Sequence, residues 1–324
     1  MKKLIGLILC LALVLSCSAS LAERTIRFGT TSAEGTEVVN VMYKFGELVA
    51  EKTGGSLKVE VFPGSQLGDA TTSFQNVQLG IQEMVVATAA NMANVGAKDF
   101  LALSMPYVFR DMAHMISVCN GEVGQNMLAS TVEAGTRVVG IGFWSEGARN
   151  FFTKEPVRAL ADVKGLKLRC QSNDIDTAMA EALGASATPI AFAELYSALQ
   201  TGVVDGAENP TSAIYTNKFY EVCKYVTIDE HSAPPVVIVF SEMIWNSLTA
   251  DEQQAVRDAW NEASAHNLEY LNTNQAKYTA LLEAEGVEVI TLNDKADWSA
   301  AMAPVYAEFG AEITDVLEAI AAVK

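Results

Sequence analysis

The chain is poor in the residues that build catalytic and metal centres. Its 324 residues include only 3 histidines, 5 cysteines and 8% aromatics. His114, His231 and His266 stand far apart, and none falls in an HExxH or comparable metal spacing. There is no GxSxG nucleophile elbow, no SxxK pair and no P-loop, and Gly140-Ile141-Gly142 lacks the third glycine of a dinucleotide loop. Neither a metal nor a cofactor is expected. Cations are also scarce: 22 Lys and Arg face 39 Asp and Glu, a formal net charge of −17. Nucleic acid and anionic membrane surfaces are poor partners for such a chain. Beyond the first 22 residues, no apolar run approaches the roughly 18 residues that a membrane-spanning helix needs.

What is present begins with a leader. Lys2 and Lys3, the apolar run Leu4–Leu15 and the small-x-small site Ser20-Leu21-Ala22 read as a secretory signal peptide over 1–22, with the mature chain starting at Glu23 in the periplasm. Val14-Leu15-Ser16-Cys17 loosely resembles a lipoprotein site that would anchor the chain at Cys17, but Leu15 fits it poorly. Cys119, Cys170 and Cys223 remain after cleavage. Their odd number allows at most one disulfide within the chain, and buried free thiols are the expectation. About 300 residues exceed what a single core usually serves, so two lobes are expected. The expected division is 23–144 with about 235–270 for the first lobe, and 145–234 with about 271–324 for the second.

Alternation of apolar and charged residues predicts strands at Arg24–Gly29 and Leu57–Phe62, with further strands at Glu83–Thr88 and Val138–Phe143. Helices are predicted between them, from about Thr36 to Lys52 and from Asp69 to Leu79. This alternation indicates a doubly wound α/β lobe. The loops near Thr31–Thr36 and Ala89–Asn91 follow strands and should line a cleft, making Thr36 and Asn91 candidate contacts. Leu166–Cys170 reads as a strand with Arg169 at its carboxyl end, and Asp174 as the cap of the next helix. From Thr249, whose spacing to Glu252 predicts a capping box, a helical pattern runs nearly unbroken to Glu285, on the order of 50 Å long. Val287–Leu292 is the last strand, with helix from about Lys295 to Val323.

The most informative stretch is Pro189–Pro210, PIAFAELYSALQTGVVDGAENP. It predicts a helix over Ala193–Thr201 ended by Gly202, a short buried strand at Val203–Asp205, and Asn209-Pro210 at the start of another helix. Asn209 either caps that helix or, at a strand-to-helix junction of an open α/β sheet, meets a ligand. Arg149 and Arg169 invite the same question. In so acidic a chain an anion site needs cations placed locally, and a guanidinium matches a carboxylate with two parallel hydrogen bonds. On the residues alone, each arginine could equally serve a structural ion pair.

The run Glu194–Pro210 resembles the signature of the extracytoplasmic binding proteins of TRAP transporters, the tripartite ATP-independent periplasmic family, of the DctP type. GSQLGD at 64–69, PYVF at 106–109, GARNF at 147–151 and LADVKGLKLR at 160–169 resemble the family's other landmarks in the family's order. The resemblance implies an α/β, two-lobed periplasmic binding protein fold, with strands crossing between lobes and a long helix bracing both. It implies Arg169 as the clamp on a ligand carboxylate, Arg149 and Asn209 as supporting ligands, and Phe192 in a Pro-x-x-Phe setting as a wall. The expected role is that of a monomer binding a small organic acid and delivering it to a TRAP membrane permease. Two other classes compete with it: a ligand-sensing protein docking to a receptor domain, and an enzyme acting on a small acid.

Overall fold

The computed structural model describes residues 23–324, so the expected signal peptide and Cys17 lie outside the described residues. Within them the strands form two mixed sheets. The first holds β1 (Arg24–Gly29), β2 (Leu57–Phe62), β3 (Met84–Ala87) and β4 (Val138–Trp144). The chain then leaves for the second, with β5 (Arg149–Thr153), β6 (Lys167–Cys170), β7 (Ser186–Pro189), β8 (Gly206–Asn209) and β9 (Tyr225–Ser232). It returns to the first with β10 (Val236–Ser241) and adds β11 (Glu288–Thr291) to the second.

The order β2-β1-β3-β10-β4 shows why the first sheet is mixed rather than purely parallel. β1 pairs in parallel with β2 and β3, whereas the returning β10 inserts antiparallel between β3 and β4. Parallel neighbours require crossovers, and the helix Glu37–Lys52 supplies one. Its Val39, Met42, Phe45 and Val49 are fully buried, as a 3.6-residue stripe requires. Phe45 meets both Phe28 and Trp260 edge to face, with centroids 5.7 Å apart in each pair. Cys119, Cys170 and Cys223 are buried and free.

The second sheet runs β11-β9-β5-β8-β6-β7. Here the expected strand at Val203–Asp205 is displaced to Gly206–Asn209: Val203 is 53% exposed. The reason is steric. A Cβ on Gly206 would lie 2.5 Å from the carbonyl oxygen of Phe152, so glycine is what lets β8 approach β5. The preceding helix ends as expected at left-handed Gly202 (φ 79°) but spans Leu195–Thr201, the residues Phe192–Glu194 before it forming a 3-10 turn. The cap of helix Asp174–Ala182 is Asn173, not Asp174: its side chain accepts the N–H of Asp176 at 2.8 Å.

The long helical pattern after Thr249 is two helices, Ala250–Ser264 and Asn267–Ala284. Thr249 and Glu252 form the expected capping box. The break at Ala265-His266 falls where Ser264, His266 and Asn267 weaken helix propensity. It also falls where Asn267 turns its side chain to the chain crossing: Oδ1 accepts Ser145 N–H at 3.1 Å and Nδ2 donates to Ser145 O at 2.8 Å. The first helix packs on Glu37–Lys52 and β4, the second on Thr211–Thr216 and β11, so the bent pair contacts both sheets' surroundings. The C-terminal helix is also divided, into Ala296–Ala301, Ala303–Phe309 and Thr314–Ala322, with Pro304 opening the middle piece. These pieces pack on the 98–133 region as well as on Asp174–Ala182. His114 Nε2 lies 2.9 Å from Ile320 O, and Tyr306 Oη donates to Pro106 O at 2.8 Å. Among the described residues no helix is long and apolar enough to cross a membrane.

Candidate ligand site

A cavity of about 420 Å³ is lined by residues of both sheets' loops, and all six candidate residues line it: Thr36, Asn91, Arg149, Arg169, Phe192 and Asn209. They differ in what they are free to do. Thr36 precedes helix Glu37–Lys52 without capping it, its hydroxyl donating to Ala33 O at 2.8 Å. Asn91 lies not in a loop but in the first turn of helix Ala89–Asn94. There its Oδ1 accepts from Thr88 N (3.1 Å) and Thr88 Oγ1 (2.9 Å) in a capping box that the Ala-rich sequence conceals.

The two arginines are the sharpest contrast. Arg149, at the start of β5, is forked onto Glu208 of β8: Nε and Nη2 reach the carboxylate, Nη2 at 2.9 Å, and Nη2 also donates to Glu208 O at 3.0 Å. Its charge is answered inside the protein. Arg169, at the end of β6, is only 4% exposed, yet among the described residues it has no carboxylate partner. Its Nε donates to Ile190 O at 2.9 Å, which fixes the plane of the fork and leaves the terminal nitrogens without a hydrogen bond. The guanidinium stands 5.8 Å from the Phe192 ring centroid. Burial lowers the Arg169 pKa, and neighbouring Arg149 adds to this while Glu208 and Asp176 oppose it.

Asn209 ends β8 and does not cap the next helix. Pro210 occupies the cap position of Thr211–Thr216, and Asn209 Nδ2 is buried with no hydrogen-bond partner among the described residues. A buried unpaired donor costs about 1–3 kcal/mol, so such groups are usually kept for a reason.

The residues that the sequence did not single out sit beneath the arginines. His231 on β9 lies with Nδ1 2.7 Å from Asp229 Oδ2 and Nε2 3.5 Å from Glu208 Oε2, and stacks on Phe151 at 4.6 Å. Asp229 and His231 are two apart on one strand, hence on one face, which is the signal available beforehand. A bulge between Arg149 and Phe151 opens the β5–β9 ladder. Side chains close it: Asp229 Oδ1 accepts Phe151 N–H at 3.2 Å and Asn150 Oδ1 accepts Glu230 N–H at 3.1 Å.

Burial alone would lower the His231 pKa, but the Asp229 and Glu208 carboxylates outweigh it and raise it to about 9. A raised folded pKa gives stability that is complete below the unfolded value and lost as pH rises through the folded one. Melting temperature should therefore fall as pH rises from about 6.5 through 9, by up to about 3 kcal/mol in stability, and His231→Gln should lack this alkaline drop. An equal drop in the variant would assign it to other groups.

The bacterial extracellular solute-binding protein family 7, DctP, matches residues 28–312. The chain belongs to this DctP family of TRAP solute-binding proteins. It is 35% identical over 321 residues to the C4-dicarboxylate-binding periplasmic protein DctP of Rhodobacter capsulatus, covering 97% of this chain and 94% of that protein. The structure of a TRAP periplasmic solute-binding protein from Pseudomonas putida F1 with bound D-glucuronate has a TM-score of 0.89 at 31% identity, covering 93% of this chain and 98% of that one. A Bradyrhizobium relative in complex with D-galacturonate has a TM-score of 0.87 at 33% identity, over 92% and 99% of the two chains. This DctP family member is thus a periplasmic binding protein in fold, location and class, and its family is one of solute binders rather than catalysts.

Proposed function

We propose that this DctP family protein binds a small organic acid by its carboxylate, with Arg169 as the clamp, and acts as a monomer that delivers it to a TRAP membrane permease. One observation supports this above others: Arg169 is a buried cation at the cavity wall that no carboxylate among the described residues pairs with. A planar anion with two acceptor oxygens is its natural partner. Asn209 donates to the same ligand through Nδ2, Arg149 with Glu208 holds the floor beneath it, and Phe192 covers the ligand's body. Thr36 and Asn91 contribute from the opposite wall. The lobes that close are 23–144 with about 235–270, and 145–234 with about 271–324, a division that the two sheets support although Thr314–Ala322 packs on the 98–133 region of the first lobe. Ligand touching both lobes shifts an open–closed equilibrium by its differential affinity, and the permease recognises the closed form.

Three variants separate a ligand role from a structural one. Arg169→Lys keeps the charge but not the fork, so it should weaken binding about tenfold or more. Asn209→Asp places an anion beside the ligand and should weaken binding more than Asn209→Ser does. Dissociation constants and melting temperatures are measured for all three. Unchanged affinity in both Asn209 variants refutes its ligand role, and unchanged affinity in Arg169→Lys reduces the clamp to a bare charge.

A further inference from the structure

With one carboxylate on Arg169, the cavity has no cation left over. Arg149 and Arg169 are the only cations among the described residues lining it, and Arg149 is engaged by Glu208. The wall facing them, built from residues between 30 and 95, offers Thr, Ser, Asn and Gln side chains. Its single charge is Asp69, whose carboxylate already accepts the N–H of Thr72 at 2.7 Å. Hydroxyls and amides suit a hydroxylated ligand body, whereas a second carboxylate would find no counter-charge there.

Glu146 sharpens this. It lies on the crossing between β4 and β5 and lines the cavity, held in place because its backbone carbonyl accepts Asn274 Nδ2 at 2.9 Å. Its carboxyl makes no hydrogen bond to any described residue. Burial raises its pKa to about 7 although Arg149 pulls the other way. The half-buried carboxyl is open to the cavity, where a sugar-type hydroxyl is a donor that suits it. A carboxylate in the same place would set anion against anion.

We propose that Glu146 is a specificity-determining residue: it accepts a hydrogen bond from a hydroxyl of a hydroxylated monocarboxylic acid and excludes dicarboxylates from the site. This rests on the reading of Arg169 as the carboxylate clamp. It also sets this chain apart from its 35%-identical relative named for C4-dicarboxylates.

The test is calorimetric titration at pH 8, where Glu146 is ionised, with D-glucuronate, D-galacturonate, succinate and L-malate. Wild-type protein and Glu146→Gln are compared, each with a thermal melt to establish folding. The better uronate should bind wild type at least tenfold more tightly than either dicarboxylate. Glu146→Gln removes the charge and should narrow that ratio at least threefold. A wild-type preference below tenfold, or a preference for a dicarboxylate, overturns the inference while leaving the carboxylate clamp standing. A ratio that Glu146→Gln leaves unchanged overturns the role of Glu146. Binding of none of the four acids overturns the clamp and this inference together. If Glu146→Gln gives no cooperative melt, the wild-type ratio decides alone.

Discussion

Arg169→Ala is expected to weaken binding of an acid ligand by roughly 30- to several-thousand-fold, the about 2–5 kcal/mol typical of truncating one partner of a buried charge-assisted pair. The fold should survive, because among the described residues the Arg169 side chain gives up one hydrogen bond, to Ile190 O. That bond contributes about 1 kcal/mol. Calorimetry beside a thermal melt separates the two effects. A loss of affinity below about threefold would mean that some other group holds the carboxylate.

Glu208→Ala should have the opposite profile: a large loss of stability. The Glu208 and Arg149 side chains are 4% and 13% exposed, and removing the carboxylate leaves a buried guanidinium without its anion and His231 without one of its two acids. Breaking such a pair by deleting one partner costs about 3–5 kcal/mol. Burial alone would raise the Glu208 pKa, yet Arg149 and His231 outweigh it and hold it at about 2. A depressed folded pKa gives stability present above the unfolded value near 4.5 and lost as pH falls through about 2. Denaturant unfolding at pH 7 should show the full penalty for Glu208→Ala, and at pH 2 the difference from wild type should shrink. A loss under 1 kcal/mol at pH 7 would show that Arg149 finds another anion.

Local pattern made part of this legible. Arg24–Gly29, Leu57–Phe62 and Val138–Trp144 announce themselves by β-branched and alternating residues, and Gly202 by its place after an apolar helical stripe. What stayed hidden depends on contacts distant in sequence. That Arg149 is consumed and Arg169 is not follows from β5 lying beside β8, which no spacing within either strand reveals. Asn209-Pro210 reads as a helix start, but β8 extends through Asn209 because Gly206 allows β5 to approach, so Pro210 and not Asn209 stands at the cap position of Thr211–Thr216. The kink at Ala265-His266 likewise answers to Ser145, more than a hundred residues away in sequence. Asn91 is a local exception: Ala89-Ala90 carry no periodic stripe, and its capping-box bonds are made with Thr88, three residues before it.

The most direct measurement is a thermal-shift comparison of D-glucuronate and D-galacturonate, each beside its uncharged carboxamide, on the wild-type protein. An acid at about 100 times its dissociation constant stabilises by roughly 2.7 kcal/mol. If Arg169 clamps a carboxylate, at least one acid raises the melting temperature and its carboxamide does not. Equal shifts from an acid and its carboxamide would contradict it.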